Sequence, residues 1–283
     1  MAQPPEVTNM ALFCDFENIA LGVRDAQYEK FDIGKVLERL LLKGSIVVKK
    51  AYCDWDRYKA FKAPMHEASF ELIEIPHVRQ SGKNSADIRM VVDALDLCYT
   101  KSHVDTFVII SGDSDFSPLV SKLRENAKRV IGVGVKNSTS DLLIANCDEF
   151  IYYDDLVREK KKAAPRKAPA KTSGTSEKSV TRAAANEPKA VVKEGDEERR
   201  QEAVDLVANT VEALVAERGE EEKIWGSMVK QALKRRNPGF NESYYGFRLF
   251  TGLLEEAAKR GAVVLERDEK SANYRVRLPA IEG

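Results

Sequence analysis

Apolar residues in the first 157 positions follow two different rhythms. Short, largely apolar runs occur at Met10-Ala11-Leu12-Phe13-Cys14, Ser45 to Tyr52, Phe70 to Ile75, Phe107-Val108-Ile109-Ile110, Lys128 to Val135 and Phe150 to Tyr153. Their length and their β-branched and aromatic content predict buried strands. Between them apolar residues return every three or four positions, which predicts helices. Ile33, Val36, Leu37, Leu40 and Leu41 form one such face, with Asp32 as its N-cap. Ile88, Val91, Val92, Leu95 and Cys98 form another, capped by Asn84 or Ser85, with Asp87 in the first turn at the edge of the face. Further helices are predicted at Arg57 to Ser69, where Pro64 is expected to start a new turn, at Pro118 to Arg124, and at Thr139 to Ala145. Strands alternating with helices predict an α/β fold, a mostly parallel sheet with helices on both faces.

The composition changes at Arg158. Residues 158–198 are rich in lysine, alanine, proline, serine and threonine and poor in large apolar side chains. Such a stretch cannot bury enough surface to offset its chain entropy, so a disordered basic tether is expected. Helical periodicity returns at Asp196 to Glu217 and again at Trp225 to Arg236. A third helix is expected to be capped by Ser243, with Phe247, Phe250, Leu254 and Ala257 facing inward. Val263-Val264-Leu265 and Tyr274 to Leu278 then predict a hairpin around the polar turn between them. Three helices and a hairpin make a small winged helix-turn-helix domain of α+β type. The expected domains are therefore 1–157 and 199–280, with 158–198 between them.

The totals narrow the chemistry. Lysine plus arginine and aspartate plus glutamate both number 45 in the 283 residues, so net charge alone favours no partner class. No signal peptide is expected, and no run approaches the roughly 20 apolar residues of a membrane span. The four cysteines lack metal-ligand spacing and fall in apolar elements, so reduced core thiols and a cytoplasmic location are expected. The three histidines are scattered, so any metal must be held by oxygen.

Oxygen ligands are well placed for that. Asp15, Asp113 and Asp115 each lie just beyond the carboxyl end of a predicted strand, and Asp87 opens a helix after a loop. In open parallel sheets the ligand crevice lies outside the carboxyl ends of the strands, where strand order reverses, so one rule of the fold brings all four to one rim. Buried carboxylates are costly unless a positive charge stands among them, and hard divalent cations take such oxygens. Glu17 is expected to face solvent or to support the ligands. Asp93 and Asp96 are expected to be solvated, and Tyr52, Trp55 and Tyr58 to pack against the sheet.

The three segments Phe13-Cys14-Asp15-Phe16-Glu17-Asn18, Lys83-Asn84-Ser85-Ala86-Asp87 and Ser111-Gly112-Asp113-Ser114-Asp115-Phe116-Ser117-Pro118-Leu119 together resemble the NYN family of PIN-like nucleases, in its LabA-like branch. Asn84 stands where the family more often has glycine. The resemblance implies a PIN-like, Rossmann-like domain. It also implies a metal-dependent ribonuclease, endonucleolytic in preference to exonucleolytic, with Asp15, Asp87, Asp113 and Asp115 as catalytic metal ligands for Mg²⁺ or Mn²⁺. Asn18 and Lys83 are expected at the substrate. The Asn237-Pro238-Gly239-Phe240 and Tyr245-Gly246-Phe247-Arg248-Leu249-Phe250 elements are similar to the LOTUS (OST-HTH) domain. That resemblance implies RNA as partner, including structured or G-rich RNA, and sometimes a protein partner or a second copy. Lys230, Lys234 and Arg235 are the expected phosphate contacts. A non-catalytic RNA-binding adaptor is the alternative. A phosphatase is disfavoured, because Glu17 rather than aspartate stands two positions after Asp15.

Overall fold

The structure is a computed structural model that describes residues 8–75, 85–163, 194–219, 222–267 and 273–279. Six strands, β1 (Asn9–Asp15), β2 (Ser45–Cys53), β3 (Glu71–Glu74), β4 (Thr106–Ile110), β5 (Arg129–Gly134) and β6 (Glu149–Tyr152), form one sheet in the order β3-β2-β1-β4-β5-β6. Every neighbouring pair is parallel. The chain starts in the centre, winds outward through β2 and β3, then crosses back to lay β4 on the other flank of β1. Order therefore reverses between β1 and β4.

The apolar runs are continuous because alternate side chains feed two cores. Met10, Leu12 and Cys14 of β1, with Val108 and Ile110 of β4, enter the core on one face. Helices α1 (Phe16–Asp25), α2 (Ile33–Leu41), α3 (Lys59–Glu67) and α7 (Tyr153–Ala163) contribute side chains to it. Ala11 and Phe13, with Phe107 and Ile109, enter the other core, beneath α4 (Ser85–Thr100), α5 (Ser117–Glu125) and α6 (Asp141–Asn146). Tyr52 and Trp55 are buried, and all four cysteines are buried and free.

Three local expectations are corrected. Pro64 stands inside α3 rather than at a new turn. Proline has no N–H to offer the carbonyl four residues back, and that carbonyl, on Ala60, accepts instead from Lys30 Nζ at 3.4 Å. On α4 the buried stripe is Met90, Ala94 and Cys98, while Ile88 and Val92 are exposed. Packing against β1, β2 and α5 sets that rotation. Asp87 falls three residues before Met90, so it extends the buried stripe instead of marking its edge. Asp93 is not simply solvated. Its Oδ2 accepts from Tyr52 Oη at 2.9 Å, and its Oδ1 lies 3.0 Å from Arg89 Nε.

Helix covers both ends of the segment expected as a linker. Helix α7 runs on to Ala163 and α8 begins at Glu194; residues 164–193 lie outside the described set. The C-terminal unit comprises α8 (Glu194–Arg218), α9 (Gly226–Arg236), α10 (Phe250–Lys259) and an antiparallel pair, β7 (Val264–Arg267) and β8 (Tyr274–Arg277). Val204, Val207, Val211, Leu233, Phe250, Leu253 and Val276 share its core. Ser243 does not cap α10, which starts only at Phe250 behind Leu249. Gly246 adopts φ +81, a conformation that ends helix geometry, and the Asn241 side chain turns the chain by accepting from Ser243 N at 3.1 Å. The turn expected between β7 and β8 falls largely outside the described residues.

Candidate active site

The reversal of strand order places the carboxyl ends of β1 and β4 side by side. Asp15 ends β1 and caps α1: its Oδ1 accepts from Asn18 N at 3.3 Å. Its Oδ2 accepts from Ser111 Oγ at 3.0 Å, just past β4. Ser111 in turn accepts from Asp113 N at 3.2 Å, and Asp113 Oδ1 accepts from Asp115 N at 3.0 Å. Asp113 thereby caps the single 3-10 turn at Ser114–Phe116 that leads into α5. A second tie runs beside this one, from Gly112 N to Asn18 Oδ1 at 2.8 Å. The two acidic turns are thus bolted together by Ser111 and Asn18.

Gly112 is required by close approach. A Cβ there would lie 2.4 Å from the backbone oxygen of Ser138, in the loop that closes over the turn. Ser140 N also donates to Gly112 O at 2.9 Å, so that loop cannot back away without losing a bond. Gly112→Ala is expected to cost about 1–3 kcal/mol as the backbone shifts to relieve the overlap. Urea unfolding of the full chain measures it, and an unchanged midpoint would show the loop to be compliant.

Electrostatics link the carboxylates. Asp15 is 7 % exposed, and burial, then the charge on Asp87, push its carboxyl up to about 7; Asp113 adds to this, while the bonds from Asn18 N and Ser111 oppose it. Asp87 is half-buried and also pushed upward, by burial and then by Asp113, Asp115 and Glu17. The neighbouring charges that act most on these two groups are all negative. Asp115 is exposed, and Glu17 pairs with Arg57 at 3.1 Å.

The four predicted carboxylates therefore gather at one rim, where Asp87 and Asp113 act on Asp15, and Asp113 and Asp115 act on Asp87. Among the described residues, however, no three His, Cys, Asp or Glu side chains already form a cage around one point. An all-oxygen donor set with negative charge fits a hard divalent cation, which would draw the acids together against their repulsion. Lys83 lies outside the described residues. Lys230 and Lys234 are not at this rim. Lys230 pairs with Glu242 at 2.8 Å, and Lys234 acts on Glu242 and on Glu149, at the amino end of β6 and so at the opposite end of the sheet. Arg235 is exposed on α9. The linking roles of Ser111 and Asn18 were missed from the sequence. The one available signal was an asparagine three positions after the helix-capping Asp15.

A doubly wound parallel domain with an acidic crevice at its switch point is the class that fold and site define. The NYN domain model matches residues 9–154, more than half the chain, and the protein belongs to the NYN-domain family. That family lies in the PIN-like nuclease superfamily; its members are generally nucleases and typically use divalent metals. An uncharacterized protein of Methanocaldococcus jannaschii is 27% identical over 139 residues, covering 46% of this chain and 54% of that protein. The chain thus spans about half the length of this curated relative. The crystal structure of a protein of unknown function from Vibrio parahaemolyticus shares 26% identity at a TM-score of 0.49, over 55% of this chain and 98% of that one.

Proposed function

We propose that this protein is a metal-dependent ribonuclease that cuts phosphodiester bonds within RNA. One observation supports the reading: at the switch point the charges of Asp87 and Asp113 act on buried Asp15, and those of Asp113 and Asp115 act on Asp87. Asp15 and Asp113 would be direct ligands of Mg²⁺ or Mn²⁺, with Asp87 and Asp115 completing the set directly or through water. When bound, the cation supplies a more acidic water and neutralises phosphoryl charge. The chain's own part is positioning. Ser111 and Asn18 hold the two acidic turns in register, and burial of Asp15 keeps bulk water from screening its charge. Lys83 is proposed to meet a substrate phosphate. The Asn18 amide nitrogen is the donor it can offer a substrate phosphate, while its oxygen is engaged by Gly112 N.

The C-terminal unit is proposed to be a LOTUS-like RNA-binding domain, with Arg235 its freest phosphate contact of the three expected. Free thiols in the core and the lack of a membrane-spanning helix among the described residues fit work in the cytoplasm. The missing preformed cage favours one other reading, a non-catalytic RNA-binding adaptor. Labelled single-stranded and structured RNAs incubated with the full chain in Mg²⁺, Mn²⁺ or EDTA separate the two. Internal cleavage that needs the metal is expected. Intact RNA in every tube, together with no saturable heat on Mn²⁺ titration, would leave the adaptor.

A further inference from the structure

We propose that the C-terminal unit is held on the sheet as an intramolecular subunit, clamped to the outer edge of β6 by contacts that do not depend on the chain joining the two. The clamp itself stands apart from the ribonuclease reading; only its consequence for RNA rests on that reading.

The last strand of an open sheet exposes unpaired N–H and C=O groups, which invite another chain. Here that place is taken by the stretch around Pro238. Phe150 N donates to Pro238 O at 2.9 Å, so the C-terminal unit pairs with β6 by its backbone. Proline has no N–H of its own and offers the edge only the acceptor used here. The next residue packs closely on the strand's tyrosine: a Cβ on Gly239 would lie 2.8 Å from Tyr152 Oη and 3.0 Å from its ring, so any larger residue there must push that side chain aside. Asn241 Nδ2 then donates to Asp155 Oδ2 at 2.9 Å, while Arg158 holds Asp155 Oδ1 at 2.8 Å. Asp155 is only 3 % exposed, so both oxygens of a buried carboxylate are satisfied, one of them from across the interface. Asn241 is itself oriented, since its Oδ1 accepts from Ser243 N and Ser243 Oγ.

Beyond this point Tyr244 presents its ring to cations from both units. Lys136 Nζ lies 3.7 Å from the ring centroid, with the Arg158 guanidinium at 5.2 Å and that of Arg199 at 5.4 Å. Between Tyr152 and Asp155 on one side and Lys234, Phe240 and Asn241 on the other, the remaining space is about 30 Å³, room for little more than a water; beside it a cleft of about 380 Å³ stays open between Lys136 and Tyr152 and the Pro238 to Tyr244 stretch. Backbone pairing, a glycine-on-tyrosine fit, a buried amide–carboxylate bond and a cation–ring cluster thus act along one continuous seam. The residues that form it, Asn237 to Tyr245, are those whose pattern stood out in the sequence. RNA gripped by the C-terminal unit would therefore be held in a fixed orientation to the acidic rim, beyond the gain in local concentration a loose tether gives.

The test is to place a specific protease site within residues 164–193 of the full chain, cut it, and run gel filtration at micromolar concentration. The two fragments are expected to co-elute with the mass of the uncut chain. Gly239→Trp is expected to make them elute apart, each retaining helical circular dichroism. Asn241→Ala, a milder change, is expected to weaken their association about tenfold or more. Separation of the cut wild-type fragments would overturn the proposal, as would co-elution with undiminished affinity for both variants. A particle of twice the expected mass that exchanges C-terminal units between differently tagged copies would overturn the intramolecular assignment in favour of a swapped pair.

Discussion

Asp113→Asn is expected to abolish metal-dependent RNA cleavage, by about a thousandfold or more, while RNA binding and stability persist. The choice of residue and replacement follows from the geometry. Asp113 caps the 3-10 turn through Oδ1, which accepts from Asp115 N at 3.0 Å. Asparagine keeps that acceptor and so keeps the turn, but removes the negative charge that would hold a cation. The size reflects electrostatic catalysis, where loss of a single preorganised group costs about 10²–10³-fold and loss of a metal ligand more. RNA gel assays in Mn²⁺ with the full-length variant, alongside gel-shift binding, measure both properties. Undiminished cleavage by the variant, freed of contaminating nuclease, would falsify the ribonuclease proposal.

Asp15→Asn is expected to do the reverse for stability. Burial and neighbouring acids raise the Asp15 carboxyl from 3.8 to about 7. A raised acid holds its proton in the native state over a pH range where the unfolded chain has lost it. Its contribution to stability is therefore greatest at low pH and declines as pH rises from about 4 to about 7. At about 1.4 kcal/mol per unit, the decline reaches about 4 kcal/mol. In chelator at pH 8 the asparagine variant escapes that loss and gives back only about 1 kcal/mol, because asparagine can accept from Ser111 or from Asn18 N but not both. It should be the more stable protein, and its urea midpoint should lose much of the wild-type slope between pH 5 and 8. Added Mn²⁺ should raise the melting temperature of the wild type and not that of the variant. A wild type already at its most stable at pH 8 in chelator would contradict the account.

Much of this was legible because it rests on local rules. The run Met10 to Cys14 showed a strand buried on both faces, and the fold rule for parallel sheets carried Asp15 and Asp113 to one rim. What was not legible depended on distant partners. The rotation of α4, which turns Ile88 outward and Asp87 inward, is decided by the sheet beneath it rather than by the spacing of its own apolar residues. The job of Asn18 is defined by a backbone N–H 94 positions away. Asp93 looked like a surface acid because nothing near it in sequence reveals the Tyr52 hydroxyl 41 positions earlier. The seam at β6 escaped for the same reason: nothing near Pro238 in the sequence reveals the Phe150 N–H, 88 positions earlier, that its carbonyl accepts from.

The central position of β1 bears on how the molecule assembles during synthesis. Strand β1, made before both of its neighbours, must wait for β2 on one side and for β4, near residue 106, on the other. Such late-arriving pairings slow the search for the native state and leave sticky segments uncovered meanwhile. Asp15 and Ser111 meet only when that wait ends. A chain in which β4 has not yet paired therefore lacks the tie between the two acidic turns, so the rim takes shape among the last parts of the sheet to assemble.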